Sequence, residues 1–224
     1  MSVLSFSLKK PIVIRKFNHF GLWISCKINF ENLEYLLHKN DNSENLGKLK
    51  NFLINYVYYK NVPNYLFCEE KSFRCSGLEL YKPKDDYYIN TSRFSKFVKE
   101  GLELIQQERV NRHYAVLTNI LTKYPFAIAI EVPVWRIIKE INNSKNITGH
   151  IDLITLNEEK EDELIIFDYK PNLDEILKSK EEYSKVYNQI YIYKLLLNHL
   201  TNIDKKYLKI GLFDEKIEVM MKNA

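Results

Sequence analysis

The side chains best suited to do chemistry sit close together in one stretch of this chain. Gly149-His-Ile-Asp152-Leu-Ile-Thr-Leu156, a charged run to Glu163, and Leu164-Ile-Ile-Phe-Asp168-Tyr-Lys170 read as two strands joined by a solvated loop. Strand alternation puts Asp168 and Lys170 on one face and Phe167 and Tyr169 on the other. A symmetric hairpin centred on Lys160 sets Asp152 opposite Asp168 and His150 opposite Lys170. Directly opposed side chains have Cβ atoms roughly 4.5–5.5 Å apart, and like charges there repel. Either both aspartates lie at solvated strand ends, or a divalent cation sits between them. Their apolar neighbours, Ile151 to Ile154 and Leu164 to Phe167, favour the cation, because an unpaired buried charge is costly. A bound cation can make a water nucleophilic, and a nearby ammonium can offset charge building on a phosphate.

The elements that must hold these residues follow from hydrophobic period. A change of pattern falls near residue 90. Before it, β-like runs at Pro11 to Arg15 and Gly21 to Ile28 mix with helical runs at Asn32 to His38 and Leu46 to Tyr59. After it come one long helix from Ser92 to Thr122, strands at Phe126 to Arg136, Thr148 to Leu156 and Leu164 to Lys170, and a helix from Glu175 to Leu200. Short strands at Leu208 to Phe213 and Lys216 to Met221 end the chain. This order predicts an α/β fold with a central mixed sheet flanked by helices. It divides into an N-terminal α+β region, 1–90, and a core, 91–224.

On the first long helix, Leu102, Ile105, Val116, Leu117, Ile120 and Leu121 form an inward stripe that Arg109 and His113 interrupt. His113 is then either a hydrogen-bonded core histidine or a ligand. Glu131, in Ala127-Ile-Ala-Ile-Glu-Val, is either an acid of the site or a surface residue. Lys185, Gln189 and Tyr193 share a face of the later helix at four-residue spacing. Tyr193 either borders the site or fills core, and Tyr56, Tyr58, Tyr59, Tyr65, Tyr87 and Tyr88 either stack single-stranded bases or complete a core.

Composition sets the class. With 46% hydrophobic and 28% charged residues, six glycines and six prolines, the chain describes a soluble globular protein. No run of about 18 apolar residues and no secretory leader is seen, so a cytoplasmic location and no membrane association are expected. Cys26, Cys68 and Cys75 fit neither a disulfide framework nor a four-thiolate site. The formal charge of +4 permits a polyanionic partner without demanding one.

Three short motifs, Gly149-His-Ile-Asp152, Asp168-Tyr-Lys170 and Gln189-Ile-Tyr-Ile-Tyr193, resemble in order and element type those of the RecB-like branch of the PD-(D/E)XK nucleases. The resemblance covers residues 105 to 221 and implies a restriction-endonuclease-like core. It further implies a metal-dependent nuclease hydrolysing DNA phosphodiester bonds, an exonuclease on single-stranded or end-containing DNA. The alternatives are a non-catalytic DNA-binding subunit of a recombination or defence complex, or a site-specific endonuclease or resolvase.

By the same resemblance His113, Asp152, Asp168 and the Tyr169 carbonyl hold Mg²⁺ or Mn²⁺, and Glu131 lies close to the metal. Lys170 positions water, and Gln189 and Tyr193 border the site. Arg109, Arg112, Lys178, Lys180 and Lys185 would grip phosphates. With no cysteine after Cys75, no iron–sulfur cluster is predicted. DNA is the expected partner, together with a homo-oligomer or proteins of recombination, repair or defence.

Overall fold

A computed structural model describes residues 12–40, 43–81, 86–108, 111–137 and 146–222. In chain order the regular elements are β1 (Ile12–His19), β2 (Leu22–Asn29), α1 (Phe30–Lys39), α2 (Glu44–Phe52), β3 (Ser72–Arg74), β4 (Tyr87–Thr91), α3 (Ser95–Glu108) and α4 (Arg112–Lys123). There follow β5 (Ala127–Arg136), β6 (Asn146–Leu156), β7 (Leu164–Tyr169), α5 (Leu173–Lys178), α6 (Lys180–Thr201), β8 (Leu208–Phe213) and β9 (Ile217–Met221). The nine strands form one mixed sheet in the order β1-β2-β5-β6-β7-β8-β9-β4, with β3 alongside β6. The pairs β7–β8 and β3–β6 are parallel and the others antiparallel. Strands from both sides of residue 90 therefore hydrogen-bond within the same sheet.

Two apolar layers close the faces of the sheet. On one, Val98 of α3 and Val116, Leu117, Ile120 and Leu121 of α4 pack on Ile130, Leu153, Ile165 and Phe167. On the other, Leu33 and Leu36 of α1, Leu46 and Leu49 of α2, and Ile190 and Leu197 of α6 pack on Ile128, Ile154, Ile166 and Ile210. Apolar side chains on both faces of β6 and β7 account for the near-continuous hydrophobic runs there. No described helix is long and apolar enough to cross a membrane.

Two single helices expected from periodicity are each a pair. Asn111 caps α4 by accepting from the backbone N–H of His113 at 2.9 Å and of Tyr114 at 3.4 Å, so the helix restarts there. Ser179 likewise accepts from the Glu182 N–H at 3.3 Å and starts α6 after α5 has ended. In both cases a polar capping residue marks where the second helix begins. The expected helix from Leu46 to Tyr59 becomes α2 followed by a π-helical turn over Leu53–Tyr58.

The hairpin of β6 and β7 has Leu153 opposite Phe167 and Leu156 opposite Leu164, a register centred on Lys160. The paired residues end at Leu153 and Phe167, each next in sequence to one of the two aspartates, Asp152 and Asp168. In β5, Ile130 pairs with Leu153 and Val132 with Ile151, which places Glu131 level with Asp152. Glu131 has φ of 53°, a left-handed conformation that costs a non-glycine residue about 1–3 kcal/mol. Across it the strand faces exchange. Ile130 and Leu153 point into the α3–α4 layer, whereas Val132 and Ile151 point into the opposite one. Pairing of β2 with β5 is confined to Lys27–Ile130 and Ile28–Ala129, consistent with this turn of the backbone and with Pro133, which has no N–H to offer.

Candidate metal centre

Where the strand faces exchange, acidic side chains from two strands meet a histidine from α4. His113 Nε2 lies 3.0 Å from Asp152 Oδ2 and 3.8 Å from Glu131 Oε1. One ligand atom from each of His113, Glu131 and Asp152 falls within 4.8 Å of the others, spacing suited to a shared cation. Asp168 stands beside this group, completely buried, with Lys170 Nζ 2.7 Å from its Oδ2. Asp152 Oδ2 also accepts from the Tyr169 N–H at 2.9 Å, which ties the two strands at this level. Local packing holds the set in place. The Tyr169 ring lies 5.5 Å from the His113 ring, and a Cβ on Gly149 would stand 2.5 Å from Tyr193 Cε1, so only glycine lets α6 come this close to β6.

The electrostatics are those of an acid-rich site short of positive charge. Burial disfavours the His113 imidazolium, but Asp152, Glu131 and Asp168 outweigh it and raise its pKa to about 9. Burial together with Asp152 pushes Glu131 up to about 8, against the pull of His113. Asp168 rises to about 7, again through burial and Asp152, with Lys170 opposing. Asp152 goes the other way: burial would raise it, but His113, Lys170 and His150 hold it well below the ordinary carboxylate range. Thus three buried carboxylates converge on two cationic side chains, His113 and Lys170. Neither Asp168 oxygen has a hydrogen bond of proper geometry, despite the close ammonium, and Glu131 Oε2 is likewise unsatisfied.

The remaining expected residues fall around this centre or away from it. Arg112 Nε donates to the Tyr169 hydroxyl at 3.3 Å, beside the site. Gln189 Nε2 donates to the buried Tyr193 hydroxyl at 2.8 Å, so these two residues engage each other. Lys185 is held by Glu181 at 2.7 Å and Glu182 at 3.0 Å on the surface of α6. Lys178 and Lys180 are exposed, and Arg109 lies outside the described residues. Of the tyrosines, Tyr56, Tyr59, Tyr65 and Tyr88 are exposed, although Tyr56 also meets the Trp135 ring edge-on, and Tyr87 packs at a tilt against Tyr183.

Two residues escaped sequence reasoning. His150 Nε2 faces Glu131 Oε2 at 3.2 Å, and its Nδ1 meets His19 Nδ1 at 3.1 Å. Hairpin register pointed to His150 only as a neighbour of Lys170. His19 carried no signal, because its strand reaches the site through the tertiary fold.

No family model and no solved structure matches the chain. A curated relative, described as a probable kinetochore protein SPC24 from Debaryomyces hansenii, is 29% identical over 174 residues, which cover 75% of this chain. The chain spans 66% of that relative's length. This finding corrects the assignment to RecB-like nucleases. It also overturns what followed from that assignment: a hydrolase or exonuclease activity, a DNA-binding or resolvase alternative, DNA as partner with phosphate grip and base stacking, and an oligomer or partners in recombination, repair or defence. Three motifs with few fixed positions specify a local arrangement of side chains, and such an arrangement can stand on chains of different role.

Proposed function

We propose that this protein binds one divalent cation, Mg²⁺ or Mn²⁺, through His113, Glu131 and Asp152, with Asp168 beside it, and that the ion serves the structure of the fold. The observation that carries the reading is the gathering of three buried carboxylates against two cationic side chains, with oxygens of Glu131 and Asp168 left without hydrogen bonds. A buried acid pair not matched by positive charge is expensive, and a divalent ion supplies what is missing. The left-handed backbone at Glu131 adds support, since strain of this kind gathers at ligand clamps. One imidazole among carboxylates suits Mn²⁺ better than an all-oxygen site would.

Titration of the chelator-treated protein with Mn²⁺, followed by electron paramagnetic resonance, is expected to show one saturable site. Asp152→Asn should weaken it at least tenfold, about 1.4 kcal/mol. Absence of saturable binding, or equal binding by the variant, overturns the reading. Metal-dependent cleavage of DNA that disappears in Lys170→Ala would overturn the structural role assigned to the ion.

The likeness to a probable kinetochore protein supports a companion reading, that the chain is a structural component of a protein assembly. Recovery of kinetochore proteins with the tagged chain from its own cells tests it, and their consistent absence rejects it.

A further inference from the structure

We propose that Lys27 is a positioning residue for the candidate metal centre: from β2 it fixes how far along its axis α4 lies, and so where α4 delivers His113. The inference rests on the cation-binding reading and gives the N-terminal hairpin a part in it. Lys27 is buried, at 4% exposure. Its Nζ donates to Thr118 Oγ1 at 2.8 Å and stands 3.9 Å from the centre of the Tyr114 ring. A lysine is seldom buried without partners, and both of these stand on α4, one turn apart.

The backbone of Lys27 completes the tie. It pairs with Ile130 in β5, the residue before Glu131, while its side chain grips the helix that bears His113. One residue therefore links the strand of one ligand to the helix of another. Further along, Asn29, on the same face of β2, donates from Nδ2 to the Leu121 carbonyl at 3.0 Å. Asn32, in the first turn of α1, donates to the Tyr124 carbonyl at 3.2 Å, just past the end of α4. These two hold the far end of the helix, and Lys27 holds the end that carries His113.

Apolar packing does not supply this precision. Val116, Leu117, Ile120 and Leu121 seat α4 on the sheet, but burial of apolar surface is non-directional and lets a helix slide for little cost. A hydrogen bond weakens steeply once its geometry is lost, so Lys27 resists the slide. The distances show why it matters. His113 stands in the first turn of α4, with Nε2 3.0 Å from Asp152 Oδ2 and 3.8 Å from Glu131 Oε1. A helix rises about 1.5 Å per residue, whereas metal–ligand distances hold to about 0.2 Å. Slippage by a fraction of one residue would therefore spoil the site.

Variants of the full chain test this. Lys27→Met keeps the buried stem and removes the ammonium, and Thr118→Val keeps the side-chain shape and removes the acceptor. Each should bind Mn²⁺ about tenfold more weakly. The double variant should bind no more weakly than Lys27→Met alone, and Thr118→Ser, which retains the hydroxyl, as tightly as the wild type. The electron spin echo of bound Mn²⁺ should carry modulation from one histidine nitrogen and lose it in Lys27→Met, a change that lowered stability by itself does not produce. Wild-type Mn²⁺ affinity in both Lys27→Met and Thr118→Val overturns the proposal. With chelator, the nuclear Overhauser contact between the His113 and Tyr169 rings, whose centroids lie 5.5 Å apart, should weaken in both variants. Undiminished ring contact in both overturns the proposal. If the wild-type chain takes up no Mn²⁺, the cation reading falls by itself, and the ring contact still decides whether Lys27 places α4.

Discussion

At the level of single residues the centre should report its state through pH. His113 stands at about 9 against an ordinary 6.5, Glu131 at about 8 against 4.5, and Asp168 at about 7 against 3.8. A group whose pKa is raised by folding contributes stability that is complete below its unfolded value and disappears as pH climbs through the folded one. All three shifts thus weaken the metal-free fold as pH rises toward 9. Asp152, held low, contributes stability above its ordinary 3.8 and loses it only in strong acid, outside this window. A cation needs the same groups unprotonated, so its stabilisation grows over the range where the metal-free protein weakens. The gap in melting temperature between Mn²⁺ and chelator is therefore expected to widen from pH 6 to pH 8.5. Calorimetry at several pH values checks this, and a constant gap would contradict it.

Among elements, the turn between β8 and β9 does more than connect strands. Asp214 is buried there and accepts from the Leu173 N–H at 3.1 Å, the Lys216 N–H at 2.6 Å and the Ile217 N–H at 2.8 Å. Through Leu173 it anchors the start of α5, shortly after β7, which bears Asp168, and the Lys170 that follows it. Asn172, at φ of 69°, makes the sharp entry into that helix. Asp214→Ala removes a buried carboxyl acceptor and strands three amides, so a loss of about 3 kcal/mol is expected from urea unfolding. Asp214→Asn keeps one acceptor oxygen and should lose less.

The whole molecule depends on strands that meet across long sequence distances. Cys26 and Ile28 of β2, with α1 and α2, belong to the same apolar layer as Ile154, Ile166 and Leu197 from the second half of the chain. Removing residues 1–90 would bare that face of the sheet, delete β1 to β3 and most of β4, and take His19 from the centre. A chain of residues 91–224 is expected to aggregate or to lack a cooperative melt by circular dichroism. A monomeric, sharply melting fragment would show instead that the first 90 residues are an appendage.

The primary structure by itself determined what short range can determine. A seven-residue charged run between two apolar strands leaves one register that buries both, so the pairing of Leu153 with Phe167 through Leu156 with Leu164 was readable from spacing about Lys160. Terminal strands were equally plain, and β8 begins and ends where alternation placed it. Helix breaks at Asn111 and Ser179 were hidden because they rest on single polar caps, which the apolar period does not report. Only the tertiary structure decided the left-handed turn at Glu131, the docking of β1 that brings His19 to His150, and the lodging of β3 beside β6. Those arrangements arise from packing between segments far apart in the chain, which neither local propensity nor periodicity encodes.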